Sequence, residues 1–431
     1  MQIRGPAQYA IPGSLKCENR QVAASNHNSM GLYFSVPFCR SKCTYCNFAS
    51  GVYPASDHVR YVERLIEDLD GARAWADSMQ VELPQKVDTI YFGGGTPVLL
   101  APELFTRIFA AIRACFAVDG DAEITVECAP GQLSDATLDA MVQTGVNRVS
   151  LGVQSFVDRE ASLSGRLHTR AAVLDDLRRL RAAGIANLNL DLLAGLAEQT
   201  LSSWRESLAV LLETKVPHAS VYMLEIDEDS RLGRELISGG ARYSAGLVPS
   251  DDTIAQMYEE AVVAFASAGL RQYEISNFAQ PGMESRHNLR YWHRRPYLGL
   301  GLDASSMLRA EDGTALRTTT SDDLGEFLKG SSEAVETAWL GPTQQLEEAW
   351  FLGLRCNAGV SVAALRSEFG SKAIAPSVKA AYRLVEDGLL NREGDAIRLT
   401  DRGRLISNDV FAEFLGLGPV AESARVPAIV S

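Results

Sequence analysis

The stretch SVPFCRSKCTYCNF, residues 35–48, places three of the seven cysteines of the chain within eight residues. A strand-like run, GLYFSVP at 31–37, leads directly into it. Three thiolates spaced C-x3-C-x2-C in a loop after a strand can each bind one iron of a 4Fe-4S cluster. The pattern therefore predicts that Cys39, Cys43 and Cys46 are metal ligands, with the fourth iron open to another ligand.

Two other interpretations of the cysteines stay open at this point. A structural zinc site usually has four closed ligands in paired C-x2-C motifs, and the sequence has no second pair near the first. His58 is twelve residues away, in a predicted helix. Free cysteines are also common in protein cores, although they are seldom this dense.

Composition excludes several classes of function. The formal net charge of −13 argues against a nucleic-acid footprint or an anionic membrane surface, and favours a small ligand or a protein partner. No apolar run approaches the roughly 20 residues of a membrane-spanning helix, and the N-terminus lacks the apolar core of a secretory signal. We therefore expect a cytoplasmic protein, where an odd number of cysteines fits metal or redox chemistry better than disulfides.

Short β-rich runs alternate with helical patterns from residue 30 onward, which predicts a parallel sheet wrapped by helices. Six such β/α units in a row favour a partial (β/α)6 barrel of the TIM type. The predicted strands are 31–37, 87–92, 123–127, 148–153, 188–193 and 220–224.

Helix signals lie between these strands. The first helix has an apolar face made of Val59, Val62, Leu65, Ile66 and Leu69. Two later helices are bracketed by an N-cap residue and a C-terminal glycine, at 169–184 and 250–269.

The two ends of the chain differ from this central pattern. Residues 1–30 lack an apolar period and are predicted to form a flexible extension, with Met30 a candidate start of the working domain. Residues 341–431 predict three or four helices and a hairpin at 389–400, an arrangement that resembles a winged helix. This region has 10 Lys and Arg against 11 Asp and Glu, so it lacks the basic footprint of a DNA-binding domain.

Polar residues recur where the predicted strands end. Glu127 and Gln154 follow two of the strands, and Asp191 lies near the end of a third. The C-terminal ends of the strands form the active face of a β/α barrel, and polar groups buried there need a partner, so we expect a bound polar ligand. The glycines at 93–95 would let a ligand approach the backbone, and Arg166 suits a carboxylate.

Several longer segments are distinctive. They read YFGGGTP at 91–97, GVQSF at 152–156, YEISNFAQPGMESRHNLRYW at 273–292 and YLGLGL at 297–302. Together with the cysteine loop they resemble the radical S-adenosylmethionine (SAM) proteins of the HemN/HemW family, over most of the chain from about residue 32 to about residue 410. Phe48 stands where the oxygen-independent coproporphyrinogen III oxidases of this family have a further cysteine, which favours the HemW branch.

The resemblance implies a fold, cofactors and a set of roles. It implies a radical SAM barrel at 31–275, a connecting region at 276–340 and a C-terminal winged-helix-like domain at 341–431. The three cysteines would hold the cluster, and SAM would chelate the fourth iron. Contacts with SAM are implied, by position in the family, for Tyr33, Tyr45, Gly94, Gly95, Thr96 and Glu127, and contacts with a second SAM for Gln154, Arg166 and Asp191.

The resemblance also implies a haem site, with His287 as the candidate haem-contacting residue. This chain departs from the family pattern nearby, because Ser285 replaces a usual cysteine and Ser305 a usual histidine. Asp303 and Glu225 are acidic residues at positions where the family usually has no acidic residue. They are the candidate catalytic residues if the protein is an enzyme.

Three functional hypotheses follow. The first is a HemW-like chaperone that binds haem, a 4Fe-4S cluster and SAM and delivers haem to acceptor proteins, including membrane proteins. The second is a catalytic radical SAM enzyme acting on a tetrapyrrole or another small molecule, and the third is a zinc-stabilised module without redox chemistry. In each case we expect neither nucleic-acid binding nor a membrane span, and a homodimer is left open.

Overall fold

The computed structural model describes residues 28–240, 242–330 and 335–417. The predicted N-terminal extension lies outside the described residues except for its last three, and two of those, Ser29 and Met30, begin the first strand. No described helix has the length and hydropathy that a bilayer span requires.

Thirteen strands form one mixed sheet. They are β1 Ser29–Val36, β2 Val81–Glu82, β3 Lys86–Gly94, β4 Ala117–Cys128, β5 Arg148–Gln154, β6 Asn187–Ala194, β7 His218–Met223, β8 Arg271–Gln272, β9 Asn277–Ala279, β10 Tyr297–Gly301, β11 Ser305–Ala310, β12 Ala315–Thr320 and β13 Val335–Leu340. Their order is β13-β12-β11-β10-β1-β3-β4-β5-β6-β7-β9-β8, with β2 paired to β11. All six predicted strands are confirmed as the parallel core of this sheet, β1, β3, β4, β5, β6 and β7.

Helices connect the parallel strands. Those of the barrel and the region after it are α1 Ala55–Ser78, α2 Pro102–Cys115, α3 Asp135–Thr144, α4 Asp158–Leu163, α5 Arg170–Ala182, α6 Leu201–Thr214, α7 Arg231–Ile237, α8 Asp251–Ser267, α9 Arg286–Trp292 and α10 Leu324–Lys329. The predicted N-caps are confirmed, since the side chains of Thr169 and Ser250 accept hydrogen bonds from the first turns of α5 and α8. The predicted apolar face of α1 is wrong at Val59, which is exposed, because the buried face of this helix continues through Tyr61 instead.

Side chains alternate along the parallel strands between an apolar outer face and a polar inner face. On β5, Val149, Leu151 and Val153 are fully buried under the helices, whereas Ser150 faces the interior and donates to Asp191 of β6. Because neighbouring strands are in register, this alternation repeats around the sheet. The hydrophobic core therefore lies between sheet and helices, and the inside of the barrel is polar.

The sheet extends beyond the predicted barrel. Strand β10 pairs in parallel with β1, and β11, β12 and β13 continue from it as antiparallel strands. The region predicted as a connection thus contributes strands to the same sheet. The domain boundaries given from the sequence stay a prediction.

The C-terminal part has the predicted winged-helix-like arrangement. It contains α11 Pro342–Arg355, α12 Val362–Phe369, α13 Ser371–Glu386, α14 Asp401–Leu405 and α15 Ser407–Ala412, with strands β14 Val360–Ser361, β15 Leu390–Glu393 and β16 Ala396–Leu399. The predicted hairpin is β15 and β16, joined to β14 in a small separate sheet. Trp350 is fully buried in its own apolar core, where its ring stacks on Phe414.

Candidate functional site

The cysteine loop leaves the sheet at the C-terminal end of β1 and closes on itself at its base. The Cys39 amide donates to the Gly51 carbonyl at 2.8 Å, and the Gly51 amide donates to the Pro37 carbonyl at 2.9 Å. These two bonds fix both ends of the loop side by side. The segment between them, which contains all three clustered cysteines, projects from the mouth of the barrel.

Other parts of the mouth hold the tip of the loop. The Thr44 amide donates to the Ser164 carbonyl at 3.0 Å, and the Thr44 carbonyl accepts from the Leu232 amide at 2.8 Å. The Arg166 guanidinium donates to the Tyr45 hydroxyl at 3.2 Å. The loop is therefore attached to the segments after α4 and at the start of α7, as well as to its own strand.

The three clustered thiols are free and half-buried. Burial raises the pKa of Cys39 and of Cys46, the neighbouring Cys43 adds to the rise in both, and hydrogen bonding with Ser50 opposes it. No three His, Cys, Asp or Glu side chains converge on a single metal ion within the described ranges. In a 4Fe-4S cluster each cysteine binds a different iron, so the three thiols need not converge on one ion. Phe48 beside them is about half exposed.

The glycine turn after β3 packs directly against the base of the cysteine loop. The amides of Gly95 and Thr96 donate to the carbonyls of Val36 and Phe38, both at 2.8 Å. A Cβ atom on Gly95 would lie only 2.8 Å from the Val36 carbonyl oxygen. Gly94 has a φ of 94°, which disfavours other residues. The predicted glycines therefore support the cysteine loop, and the amides of Gly95 and Thr96 are engaged in holding it.

Glu127, at the end of β4, points into the barrel beneath the loop. Its Oε1 accepts from the Tyr91 hydroxyl at 2.7 Å, and the ring of Tyr33 lies 6.2 Å from that of Tyr91. Burial raises the pKa of Glu127 to about 7, helped by the charge of Asp191 and opposed by Tyr91 and Arg166. This carboxyl can therefore take up or release a proton near neutral pH.

The side chains of Gln154 and Arg166 come together over Gly152 at the end of β5. A Cβ atom on Gly152 would lie 3.0 Å from Arg166 Nη2 and 3.2 Å from Gln154 Nε2. Gln154 has a φ of 67°, an uncommon backbone conformation for this residue type that occurs mostly where structure is constrained. Burial lowers the pKa of Arg166. The neighbouring Tyr45 hydroxyl and Cys43 thiol have the opposite and larger effect, so the pKa of Arg166 is raised above its ordinary value.

Asp191 lies in a network of neutral polar groups on β5, β6 and β7. It accepts hydrogen bonds from Ser150 at 3.0 Å and from Asn189 at 2.7 Å. Asn189 in turn contacts Ser220 and the His218 ring. Burial raises the pKa of Asp191, and its hydrogen bonds oppose that effect. The structure thus places Glu127, Gln154, Arg166 and Asp191 in the upper interior of the barrel, as the sequence predicts.

His287 lies lower in the interior, on α9. Its Nδ1 is 2.9 Å from the Thr89 hydroxyl and its Nε2 is 2.7 Å from the Tyr291 hydroxyl. Burial, together with the charges of Arg290 and Arg148, lowers the pKa of His287 to about 3, so the ring is neutral. Both ring nitrogens are therefore occupied within the protein, and a bond to haem iron requires one of these hydrogen bonds to open.

The substituted positions have different surroundings. Ser285 is fully buried and caps α9, because its hydroxyl accepts from the Asn288 amide. Asp303, Ser305 and Glu225 are exposed. The two candidate catalytic acids therefore lie outside the buried interior that contains Glu127 and Asp191.

Sequence reasoning missed several interior residues. Tyr91, Ser150 and Asn189 line the barrel and bond directly to the predicted acids. The signal that could have found them is the alternation within strands, since every second residue of RVSLGVQ and NLNLDLLA faces inward.

Comparisons with known proteins agree with this geometry. The family model described as the radical SAM superfamily matches residues 33–211, and that of the HemN C-terminal domain matches residues 340–406. The chain is 34% identical to "Heme chaperone HemW" of Lactococcus lactis subsp. lactis, covering 89% of this chain and 96% of that protein. It is also 34% identical to "Heme chaperone HemW" of Bacillus subtilis, covering 89% and 98%.

The fold likeness extends to a solved structure. Coproporphyrinogen III oxidase (HemN) from Escherichia coli, described as a radical SAM enzyme, matches with a TM-score of 0.77 and 22% identity, covering 90% of both chains. Fold, cysteine loop and family model thus define a radical SAM protein, a class that uses a 4Fe-4S cluster and SAM. Within this class the chain belongs to the HemW family, since about a third of its residues are identical to those proteins over nearly their whole length.

Proposed function

We propose that this protein is a haem chaperone that binds haem, a 4Fe-4S cluster and SAM, and delivers haem to acceptor proteins. The observation that supports it most is the 34% identity to two curated haem chaperones, sustained over 96% and 98% of their length. Phe48, where the oxidases of the wider family have a cysteine, supports the same assignment.

Cys39, Cys43 and Cys46 are the proposed ligands of the cluster. They fit because three free thiols share one loop that is fixed at its base and its tip. With the cluster bound, SAM supplies the radical chemistry of the class when an electron is delivered. The protein provides the shape of the site and excludes water from it.

The proposed SAM contacts are groups of this chain that line the mouth beside the loop. The backbone of the glycine turn is the proposed contact of the methionine moiety, and Tyr33 and Tyr45 provide flanking rings. Glu127 provides a carboxyl group whose protonation changes near neutral pH. Gln154, Arg166 and Asp191 are proposed to orient a ligand deeper in the mouth, where the Arg166 guanidinium donates to the Tyr45 hydroxyl of the cysteine loop.

A role for His287 as an axial ligand of haem stays a prediction with a specific test. Nε2 can bind iron only if it gives up the Tyr291 hydroxyl. Removing that hydroxyl in Tyr291→Phe frees Nε2, so it should strengthen histidine ligation, whereas His287→Ala should abolish it. If the Soret band of bound haem is the same in both variants and in the wild type, His287 does not ligate haem.

The function is tested by haem uptake and transfer under anaerobic conditions. The reconstituted protein is titrated with haem, followed through the Soret absorbance, and then mixed with an apo-haemoprotein that is separated and assayed for haem. A chaperone takes up haem stoichiometrically and passes it on. A protein that binds no haem, with its cluster intact, is not a haem chaperone.

A second function is supported by one specific observation, the pKa of about 7 at Glu127 inside a polar barrel. Such a carboxyl suits proton transfer in a catalytic radical SAM enzyme that acts on a tetrapyrrole or another small molecule. That enzyme forms 5′-deoxyadenosine in proportion to its substrate, and Glu127→Gln slows it. The absence of SAM cleavage with every tetrapyrrole and other small molecule tested would contradict it.

We also propose the remaining assignments from the sequence: a cytoplasmic location, haem-accepting membrane proteins as clients, and no nucleic-acid partner. The net charge of −13 supports the last of these. Co-purification of the tagged protein with membrane haemoproteins tests the client assignment.

A further inference from the structure

Two arginines of the described chain are buried to the same degree, and they differ in what they contact. Arg148 and Arg290 are each 2% exposed. Arg290 forms a salt bridge with Asp88 and donates to the carbonyls of Ser29 and Pro296. Nε is without a hydrogen-bond partner in both arginines, but the Arg148 guanidinium forms no salt bridge or hydrogen bond with any described residue. A buried guanidinium without partners is strongly unfavourable, so Arg148 requires one.

The side chain of Arg148 faces the interior of the barrel. It lies two residues before Ser150 on β5, and therefore on the same face of the strand as Ser150, which faces inward to Asp191. Its charge lowers the pKa of His218 on β7 and of His287 on α9, which are on other sides of the interior. The guanidinium is therefore central, below the layer that contains Asp191.

A second unpartnered polar group lies directly beside it. Thr125 of β4 is the register partner of Arg148, is fully buried, and has no hydrogen-bond partner for its Oγ1 among the described residues. A guanidinium and a hydroxyl thus lie at paired positions of adjacent strands, on the same face of the sheet. This set suits a carboxylate, whose two oxygens accept up to four hydrogen bonds.

The carboxyl groups already inside the barrel are bonded elsewhere. Asp191 accepts from Ser150 and Asn189, and Glu127 accepts from Tyr91. Glu123 accepts from the two backbone amides at the start of α9. None of these three forms a salt bridge with Arg148 in the described structure, but the charge of Arg148 acts on Asp191, where it opposes the rise in pKa caused by burial.

We propose that Arg148 and Thr125 form an anion subsite at the floor of the barrel interior, which binds a carboxylate of a ligand that enters from the mouth. The proposal rests on the proposed function for the choice of ligand. Haem contributes propionates, and a second SAM, which does not chelate the cluster, contributes a methionyl carboxylate, so the recognised chemistry is the same and experiment separates the sources. Arg148 then binds the ligand and has no role in holding the barrel together.

The test compares Arg148→Met, which removes the charge at similar length, with Arg148→Lys, which keeps the charge but loses the planar fork. Haem and haem dimethyl ester are titrated against each protein, and SAM is measured by equilibrium dialysis. Loss of a charge-assisted hydrogen bond predicts a fall in affinity of about 10- to 100-fold in Arg148→Met, with Arg148→Lys in between. If the carboxylate is a haem propionate, haem dimethyl ester binds the wild-type protein weakly, and Arg148→Met does not lower its affinity further.

Stability distinguishes a binding residue from a structural one. If Arg148 serves a ligand, the ligand-free Arg148→Met protein unfolds at the same urea concentration as the wild type or a higher one. Lower stability that Asp191→Asn restores would instead make Arg148 the counter-charge of Asp191 and overturn the proposal. Unchanged affinity of Arg148→Met for both haem and SAM would also overturn the proposal. If the wild-type protein binds no haem, the proposed function fails. The affinity for SAM in the wild type and in Arg148→Met then decides whether Arg148 binds a carboxylate.

Discussion

Glu127→Gln offers a prediction whose size and sign follow from the structure. Burial in the barrel raises the pKa of Glu127 from 4.5 to about 7. Between these values the folded protein keeps a proton that the unfolded chain has lost. The free energy of unfolding therefore falls as the pH rises through this window, by about 3 kcal/mol in total at 1.36 kcal/mol per pKa unit.

Glutamine does not titrate, so the variant does not undergo this loss. Between about pH 5.5 and pH 8 the wild type should lose roughly 2 kcal/mol of stability that Glu127→Gln keeps. Urea unfolding of the apo-protein, followed by circular dichroism at both pH values, measures the difference. Tyr91→Phe removes a hydrogen bond that lowers the pKa of Glu127, so it should make the pH dependence steeper.

The exposed Glu259 provides the matched control, since Glu259→Gln should leave the pH dependence as it is. Equal effects of Glu127→Gln at both pH values would refute the raised pKa. A loss of stability in Glu127→Gln at about pH 8 would show that the ionised carboxylate stabilises the fold, which is the opposite of what its burial predicts.

Three further substitutions test the supports of the site. Gly95→Ala places a Cβ atom 2.8 Å from a carbonyl oxygen of the cysteine loop, so the reconstituted protein should hold less iron, whereas Gly71→Ala, with open space around it, should hold the wild-type amount. Cys43→Ser should lose the cluster absorbance near 400 nm and Cys115→Ser should keep it; equal loss in both would contradict the ligand assignment. Ser285→Ala removes the N-cap of α9 and should lower the free energy of unfolding by about 1 kcal/mol, measured in urea.

The parallel half of the fold could be predicted because its strands carry a strong local pattern. Each is a short apolar run followed by a helix with clear capping residues, and Thr169 and Ser250 mark two of those helices in the sequence. The strands β10 to β13 were not predicted as part of the sheet. They pair through a parallel contact between β10 and β1, which are far apart in sequence and leave no local signal.

The polar residues at the mouth of the barrel were expected from the sequence, whereas those of the proposed subsite at its floor were not. The cysteines are adjacent in sequence, so their spacing alone indicates the chemistry. Glu127, Gln154 and Asp191 end strands and are visible for that reason. Arg148 begins a strand, where polar residues are usually solvent-exposed, and only the register between β4 and β5 places it beside Thr125 inside the barrel.

Haem binding to the anaerobically reconstituted protein, with about four irons per chain, tests the central claim most directly. The proposed chaperone takes up haem stoichiometrically, transfers it to an apo-haemoprotein, and forms no 5′-deoxyadenosine in proportion to the haem supplied. A protein that holds the cluster and SAM but takes up no haem would contradict it.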